Sequence, residues 1–300
     1  MPPLFWTGRL SLPVKLIMNL NCILAWVLRN TNTVSMKERV KLGYDGLTTD
    51  NVNNYDNLGL DFQLKAAEFQ LEDLNPEGKE ILDIAAGTGA LSFLLIERKA
   101  KKVICGDISK NMLEKCRKKS VNLGINEDKT ALCLLDAENL PFADNSFDIV
   151  ITGMATGLFP NLPKAIKEMV RVVKPDGLIS IGAHGPEHYW EPIDSFVRST
   201  NIRYLIGYRP EWWPRTEKEI RRMMERAGLS DIKSKRVVWH NKFQTGGEAW
   251  DFFCAISSSF QYDRYPISKR LEDYKKVREY CNGHNKIIVT DDIILAYGKK

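Results

Sequence analysis

Ile81-Leu82-Asp83-Ile84-Ala85-Ala86-Gly87-Thr88-Gly89-Ala90 is an apolar run that meets a carboxylate and then passes into glycines. Glycines at such a joint let the backbone approach a ligand closely and take conformations closed to other residues. Alone, this loop fits any nucleotide-binding α/β protein. Spacing narrows the chemistry. A dinucleotide fingerprint G-x-G-x-x-G needs glycine at position 92, where Ser92 stands. Asp107 ends the next apolar run, 18 residues after Gly89. A carboxylate there can accept hydrogen bonds from both hydroxyls of an adenosine ribose. Asp136-Ala137-Glu138 closes a third run, where an adenine would lie. Each acid also has a plain reading: Asp83 as a turn cap, Asp107 as a solvated loop acid, Asp136 as a helix N-cap, Glu138 as a surface residue.

The elements that would position these groups alternate. Strands are expected over 80–85, 102–105, 130–135, 147–152 and 178–183, with helices over 91–97, 110–123 and 163–173. This rhythm predicts a parallel sheet with helices on both faces. Upstream, residues 51–74 read as a loop followed by a helix. Downstream, Thr216 and Glu219 have capping-box spacing for a helix over 216–227 that Gly228 closes. Further helices are expected over 249–260 and 268–280, and two late strands over 237–239 and 293–297.

Three more motifs follow in order: Leu140-Pro141-Phe142 before Asp144-Asn145-Ser146-Phe147-Asp148-Ile149-Val150, then Glu168-Met169-Val170-Arg171-Val172-Val173-Lys174-Pro175-Asp176-Gly177, and a terminal Thr290–Gly298 run. Together with the glycine loop and the strand-end acids, they resemble the class I S-adenosylmethionine-dependent methyltransferase family, in its small-molecule, quinone-biosynthesis-like branch. The resemblance is strong over 75–180 and weaker beyond. It implies a doubly wound, mostly parallel seven-stranded α/β sheet and S-adenosyl-L-methionine as cofactor. It also implies that Asp83 orders the loop and the methionine amino end. Ala85, Gly87, Thr88 and Gly89 would pass under the cofactor, Asp107 and Ile108 would hold the ribose, Asp136 and Ala137 would meet the adenine, and Thr152 and Gly153 would line the methionine side. Ala85 and Asp176 depart from the family, which often has glycine at both places.

A sulfonium methyl is already activated, so its transfer is an in-line displacement governed mainly by positioning. A base is needed only if the acceptor must lose a proton. His184 directly follows the fifth strand, at the sheet edge where ligands bind, and His188 comes one helical turn later. His184 is either a base or orienting group, or a plain loop residue. Tyr189, Trp190, Tyr204, Tyr208, Trp212 and Trp213 crowd the following segment; Trp190, Tyr204, Tyr208 and Trp212 are the candidate acceptor-lining side chains. They either form an apolar acceptor pocket or pack a lid against the sheet. Thr152-Gly153-Met154-Ala155 lacks the Asn-Pro-Pro-aromatic signature of nucleobase amino-methylation, so a small aromatic or lipophilic acceptor is expected. The rivals are an NAD(P)-dependent oxidoreductase, opposed by Ser92 and the Lys174–Gly177 turn, and a non-catalytic cofactor-binding regulator, opposed by the intact Gly87, Gly89 and Asp107.

The remaining composition is ordinary. Of the net charge of +5, three charges come from Arg9, Lys15 and Arg29 in a stretch, residues 1–35, that has no acid. The rest is too near neutral to argue a nucleic-acid surface. Six cysteines show neither C-x-x-C pairing nor zinc spacing, so no metal site is expected; buried free thiols fit a reducing, cytoplasmic setting. The domain division reads as an extension over 1–35, a helical cap over 36–75 and a methyltransferase domain over 76–300 with an acceptor-covering insertion over about 185–215. The extension carries an apolar run, 16–28, shorter than a bilayer span. It is open to three readings: a weak membrane-surface anchor, a targeting segment, or a dispensable tail.

Overall fold

A computed structural model describes residues 11–27, 37, 38, 40, 41, 44, 50–200, 216–256 and 267–300. Among the described residues, the named elements begin with the helices α1 (Leu12–Val27) and α2 (Asp50–Leu71). Then β1 (Glu80–Ile84), α3 (Ala90–Glu97), β2 (Lys102–Asp107), α4 (Lys110–Asn122), β3 (Thr130–Leu134), β4 (Phe147–Thr152), α5 (Leu162–Val172) and β5 (Val173–His184) alternate. The last third holds α6 (Trp190–Ser199), α7 (Glu217–Arg226), β6 (Ser230–Lys242), α8 (Gly246–Ile256), α9 (Ile267–Gly283) and β7 (Ile288–Lys299).

The seven strands form one sheet in the order β3-β2-β1-β4-β5-β7-β6. All pairs from β3 to β5 are parallel, and β7 runs antiparallel to both β5 and β6. The strand order reverses between β1 and β4, the place where open α/β sheets bind ligands beyond their carboxyl ends. β1 and β4 are covered on both faces, so neighbouring residues in each are buried and apolar, Ile81-Leu82 in β1 and Ile149-Val150-Ile151 in β4, rather than alternating.

Local chemistry explains several helices. Asn161 and Ser109 accept backbone N–H bonds from Lys164 and Met112 and so start α5 and α4. α5 buries Leu162, Ala165, Ile166, Met169 and Val172, a single stripe against the sheet. The capping box read at Thr216 and Glu219 is present in full, and Gly228 takes the left-handed conformation after α7.

The two late strands are much longer than their apolar patches. β6 is an edge strand of largely polar, half-exposed residues, so alternation marks only its middle. β7 includes Thr290, Asp291 and Asp292, all fully buried. They precede the apolar run at 293–297 and are held in the sheet by partners. Arg236 donates two bonds of 2.8 Å to the Asp292 carboxylate, Asn241 bonds Asp291, and Glu191 accepts from the Thr290 backbone at 2.9 Å. Within the stretch 1–35, α1 also meets the core. Val14 is 2% exposed and packs with Phe62, Tyr189, Trp239 and Phe253, with Ile17 against the same cluster.

Candidate active site

One continuous cavity opens over the carboxyl ends of β1, β2 and β4. One end is lined by Asp83, Ala85, Gly87, Asp107, Ile108, Asp136, Ala137 and Gly153, all expected from the sequence. The other end is lined by Phe62, Met154, His184, His188, Tyr189 and Ile256.

The first end is built by strand termini and tight turns. Asp83, the fourth residue of β1, is 1% exposed and accepts a 2.6 Å bond from Ser92 Oγ on its Oδ2. Its Oδ1 is buried without a hydrogen-bond partner, an unmet acceptor. Burial pushes this carboxyl well above the usual carboxylate range, and the Ser92 bond opposes that only in part. A positively charged ligand group at Oδ1 would satisfy both the acceptor and the charge. Beyond β1 the chain takes left-handed φ at Ala85 (59°), Gly87 (58°) and Gly89 (90°). At Gly87 a Cβ would meet nothing nearer than the Tyr55 hydroxyl at 4.0 Å, so the missing side chain keeps the cavity wall flat. The Gly87 N–H donates to Asp107 Oδ2 at 2.9 Å, and Ser109 N–H donates to Asp107 Oδ1 at 2.8 Å. Asp107 is thus a fixed acceptor at the cavity edge, its orientation set by two backbone donors. A carboxylate has about four lone-pair sites, so it can still accept from a diol.

Asp136 does not cap a helix. Its Oδ1 accepts from Glu138 N at 2.9 Å in a turn, and its Oδ2 accepts from Lys37 Nζ at 2.7 Å. Glu138, with a surface position as its plain reading, is 3% exposed; it accepts from Asn161 N at 2.7 Å and pairs with Lys37 at 2.9 Å. Burial works against the Lys37 charge, but the hydrogen bonds to Asp136 and Glu138 outweigh it and raise the amine above its ordinary value.

Three expected cofactor residues lie outside the cavity lining. Thr88 donates to Asp56 at 2.7 Å, tying the glycine loop to α2. Gly89 faces packing: a Cβ there would sit 2.6 Å from the Phe93 ring and 2.8 Å from Cys116 Sγ. Thr152 is fully buried in β4, and its carbonyl accepts from Gln70 at 3.1 Å.

At the second end the aromatic wall differs from the expected one. Trp190 does not line the cavity; it begins α6 directly after Tyr189, and successive helical residues diverge by about 100°. Tyr189 holds a left-handed φ of 57° and faces the cavity. Tyr204, Tyr208 and Trp212 lie outside the described residues. The wall is formed by Phe62 with His188 (ring centroids 6.0 Å apart) and Tyr189 (6.2 Å), and His184 lies 4.4 Å from His188. Burial pushes the His184 imidazole down to about 4 and holds His188 well below its ordinary value, so both rings are neutral at pH 7.

Residues upstream of β1 contribute cavity wall that sequence reading missed: Lys37, Val40, Tyr44, Tyr55, Phe62 and Gln70. Gln70 is 1% exposed and donates to Ser180 Oγ at 2.9 Å as well as to the Thr152 carbonyl. The available signal was a pair of amides seven residues apart on one face of α2, Gln63 and Gln70, both of which line the cavity.

Comparison with known proteins gives a consistent result. A family model described as a methyltransferase domain matches residues 82–181. Relatives in Burkholderia mallei and Burkholderia pseudomallei, named ubiquinone/menaquinone biosynthesis C-methyltransferase UbiE, are 31% identical over 206 residues, covering 61% of this chain and 80% of theirs. Among solved structures, YcgJ from Bacillus subtilis matches with a TM-score of 0.53 and 22% identity over 81% of this chain and 97% of its own. The cyclase SpnF matches with a TM-score of 0.53 and 16% identity over 79% and 81%. At such identities these two likenesses establish the fold.

Proposed function

The chain belongs to the class I S-adenosylmethionine-dependent methyltransferase family, and on that premise we propose that its acceptor is a small aromatic or lipophilic molecule seated against Phe62, Tyr189 and Met154. The observation that carries the reading is the single cavity, which is polar and turn-built at the Asp83–Asp107 end and aromatic at the Phe62–Tyr189 end. The relatives' printed activity, C-methylation in quinone biosynthesis, supports an aromatic carbon as the accepting atom.

The first end fits the cofactor. The unmet Asp83 Oδ1 suits its ammonium group, the Asp107 carboxylate its ribose diol, and the turn at Asp136-Ala137 its adenine edge. Gly87 gives the backbone room to approach it. When bound, S-adenosylmethionine supplies an electrophilic methyl on a sulfonium. The protein's part is to align the acceptor and exclude water, which strengthens each polar contact. His184, neutral at the edge of β5, orients an acceptor hydroxyl and can receive its proton; a pKa of about 4 makes it a weak base, so orientation dominates.

The test is transfer of labelled methyl from S-adenosylmethionine to a panel of phenols, hydroquinones, primary amines and nucleosides. Label in ring carbons of phenols or hydroquinones is expected. Label confined to amines or nucleosides overturns the acceptor class.

A further inference from the structure

α1 has two unlike faces. Val14 and Ile17 point inward and pack on the cluster that includes Phe62 and Tyr189. Leu12, Leu16, Leu20 and Ile23 are 68%, 62%, 56% and 39% exposed. At about 100° per residue these four fall within an arc of about 80°, with Val14 roughly opposite and Ile17 about 100° round from the centre of the arc. No other helix gathers four of the exposed large apolar side chains on one line among the described residues. A contiguous apolar stripe of this kind marks a surface that meets something.

Charge decides what it meets. Lys15, half-buried, lies beside the stripe, Arg9 and Arg29 flank the helix in sequence, and residues 1–35 contain no acid. Two copies joined through this face would bring like charges together. A surface with anionic headgroups and an apolar interior answers both features: leucines enter the headgroup–acyl boundary while lysine and arginine stay at the phosphates. With 16 residues α1 is too short to cross a bilayer, and no helix among the described residues is long and apolar enough to do so. We propose that α1 is a surface-lying docking helix that seats the enzyme on anionic lipid through Leu12, Leu16, Leu20 and Ile23. The inner face of α1 belongs to the same core cluster as Phe62 and Tyr189 of the cavity wall, so the docking face lies close to that end of the cavity. The proposal does not depend on which acceptor is methylated.

Cosedimentation of the full chain with vesicles tests it. Vesicles of phosphatidylcholine containing phosphatidylglycerol should bind the protein, pure phosphatidylcholine vesicles should bind it far less, and added salt should weaken binding. The double substitution Leu16→Glu with Leu20→Glu should lower the partition coefficient at least about tenfold. Leu16→Ser with Leu20→Ser, which adds no negative charge, should also lower it, and separates lost apolar contact from repulsion. All these positions are exposed, so S-adenosylhomocysteine binding should stay unchanged, which reports an intact fold. No binding to anionic vesicles overturns the proposal, as does binding that survives both double substitutions. A dimer abolished by the same substitutions, without vesicle binding, assigns the face to a second copy and also overturns it.

Discussion

The two ends of the cavity are held in different ways. At the first end, the polar groups are held mainly by the loops that follow the strand ends: Asp107 by the Gly87 and Ser109 amides, Asp136 by the Glu138 amide of its own turn, and Asp83 by the Ser92 hydroxyl. At the acceptor end, the wall comes from segments far apart in sequence, Phe62 in α2, Tyr189 before α6 and Ile256 in α8, meeting through side-chain packing. Geometry set by local backbone leaves little room for variation. Geometry set by distant packing can be re-tiled residue by residue, which is how one fold serves many acceptors.

The sharpest break of that contrast is Gly89→Ala. The added Cβ meets Phe93 at 2.6 Å and Cys116 at 2.8 Å, with φ at 90°. Overpacking and a left-handed alanine together should cost on the order of 3 kcal/mol, read as a fall in the chemical-denaturation midpoint. Denaturation unchanged from the parent would mean that the glycine loop is not the rigid element described.

Next is Asp107→Ala. It removes the charged acceptor of two backbone amides and, on the proposed reading, of the ribose diol, each such bond being worth about 1.5–3 kcal/mol. Calorimetry should show S-adenosylhomocysteine affinity reduced at least about tenfold. Asp107→Asn should fall between, and Asp144→Ala, a mostly exposed acid paired with Arg171, should behave like the parent. Parent-like affinity in Asp107→Ala would place the ribose elsewhere.

The sequence made the cofactor end legible because its chemistry is local: a loop, a strand-end acid and a turn occupy short windows with fixed spacing. The sheet up to β5 was legible for the same reason. The acceptor end was not. Phe62 and Gln70 lie on a helix with weak periodicity, and nothing in their neighbours says which sheet edge they reach. Tyr189, not Trp190, faces the cavity because of one left-handed residue at a helix start. Apolar pattern alone starts the last strand at Ile293; Thr290, Asp291 and Asp292 join it through partners, Glu191, Asn241 and Arg236, that are 50 or more residues away. Residues 1–35 showed their apolar run but not that Val14 belongs to the core.

A smaller effect belongs to the acceptor end. His184 is held at about 4 by burial, below the ordinary imidazole value, and His188 is depressed as well. A depressed histidine favours the folded state above its unfolded pKa, and that advantage is lost as pH falls from about 6.5 towards 4. Thermal stability should therefore decline across that window, and His184→Gln should make the decline shallower. An equally steep decline in the variant would mean that His184 is not the buried neutral ring described.

The smallest is Ala85→Gly. Ala85 holds φ at 59°, a conformation costing an L-residue about 1–2 kcal/mol that glycine avoids at some cost in unfolded-chain entropy. The melting temperature should stay level or rise slightly, with cofactor affinity retained. A clear loss of stability would mean that the alanine methyl contributes packing that offsets its strain.

The most direct measurement is a crystal structure of the protein with S-adenosylhomocysteine. The account predicts the ammonium on Asp83 Oδ1, the ribose hydroxyls on the Asp107 carboxylate, the adenine at Asp136-Ala137, and the space against Phe62 and Tyr189 left open for the acceptor. A ligand lying along Phe62 and Tyr189, with Asp83 and Asp107 untouched, would contradict it.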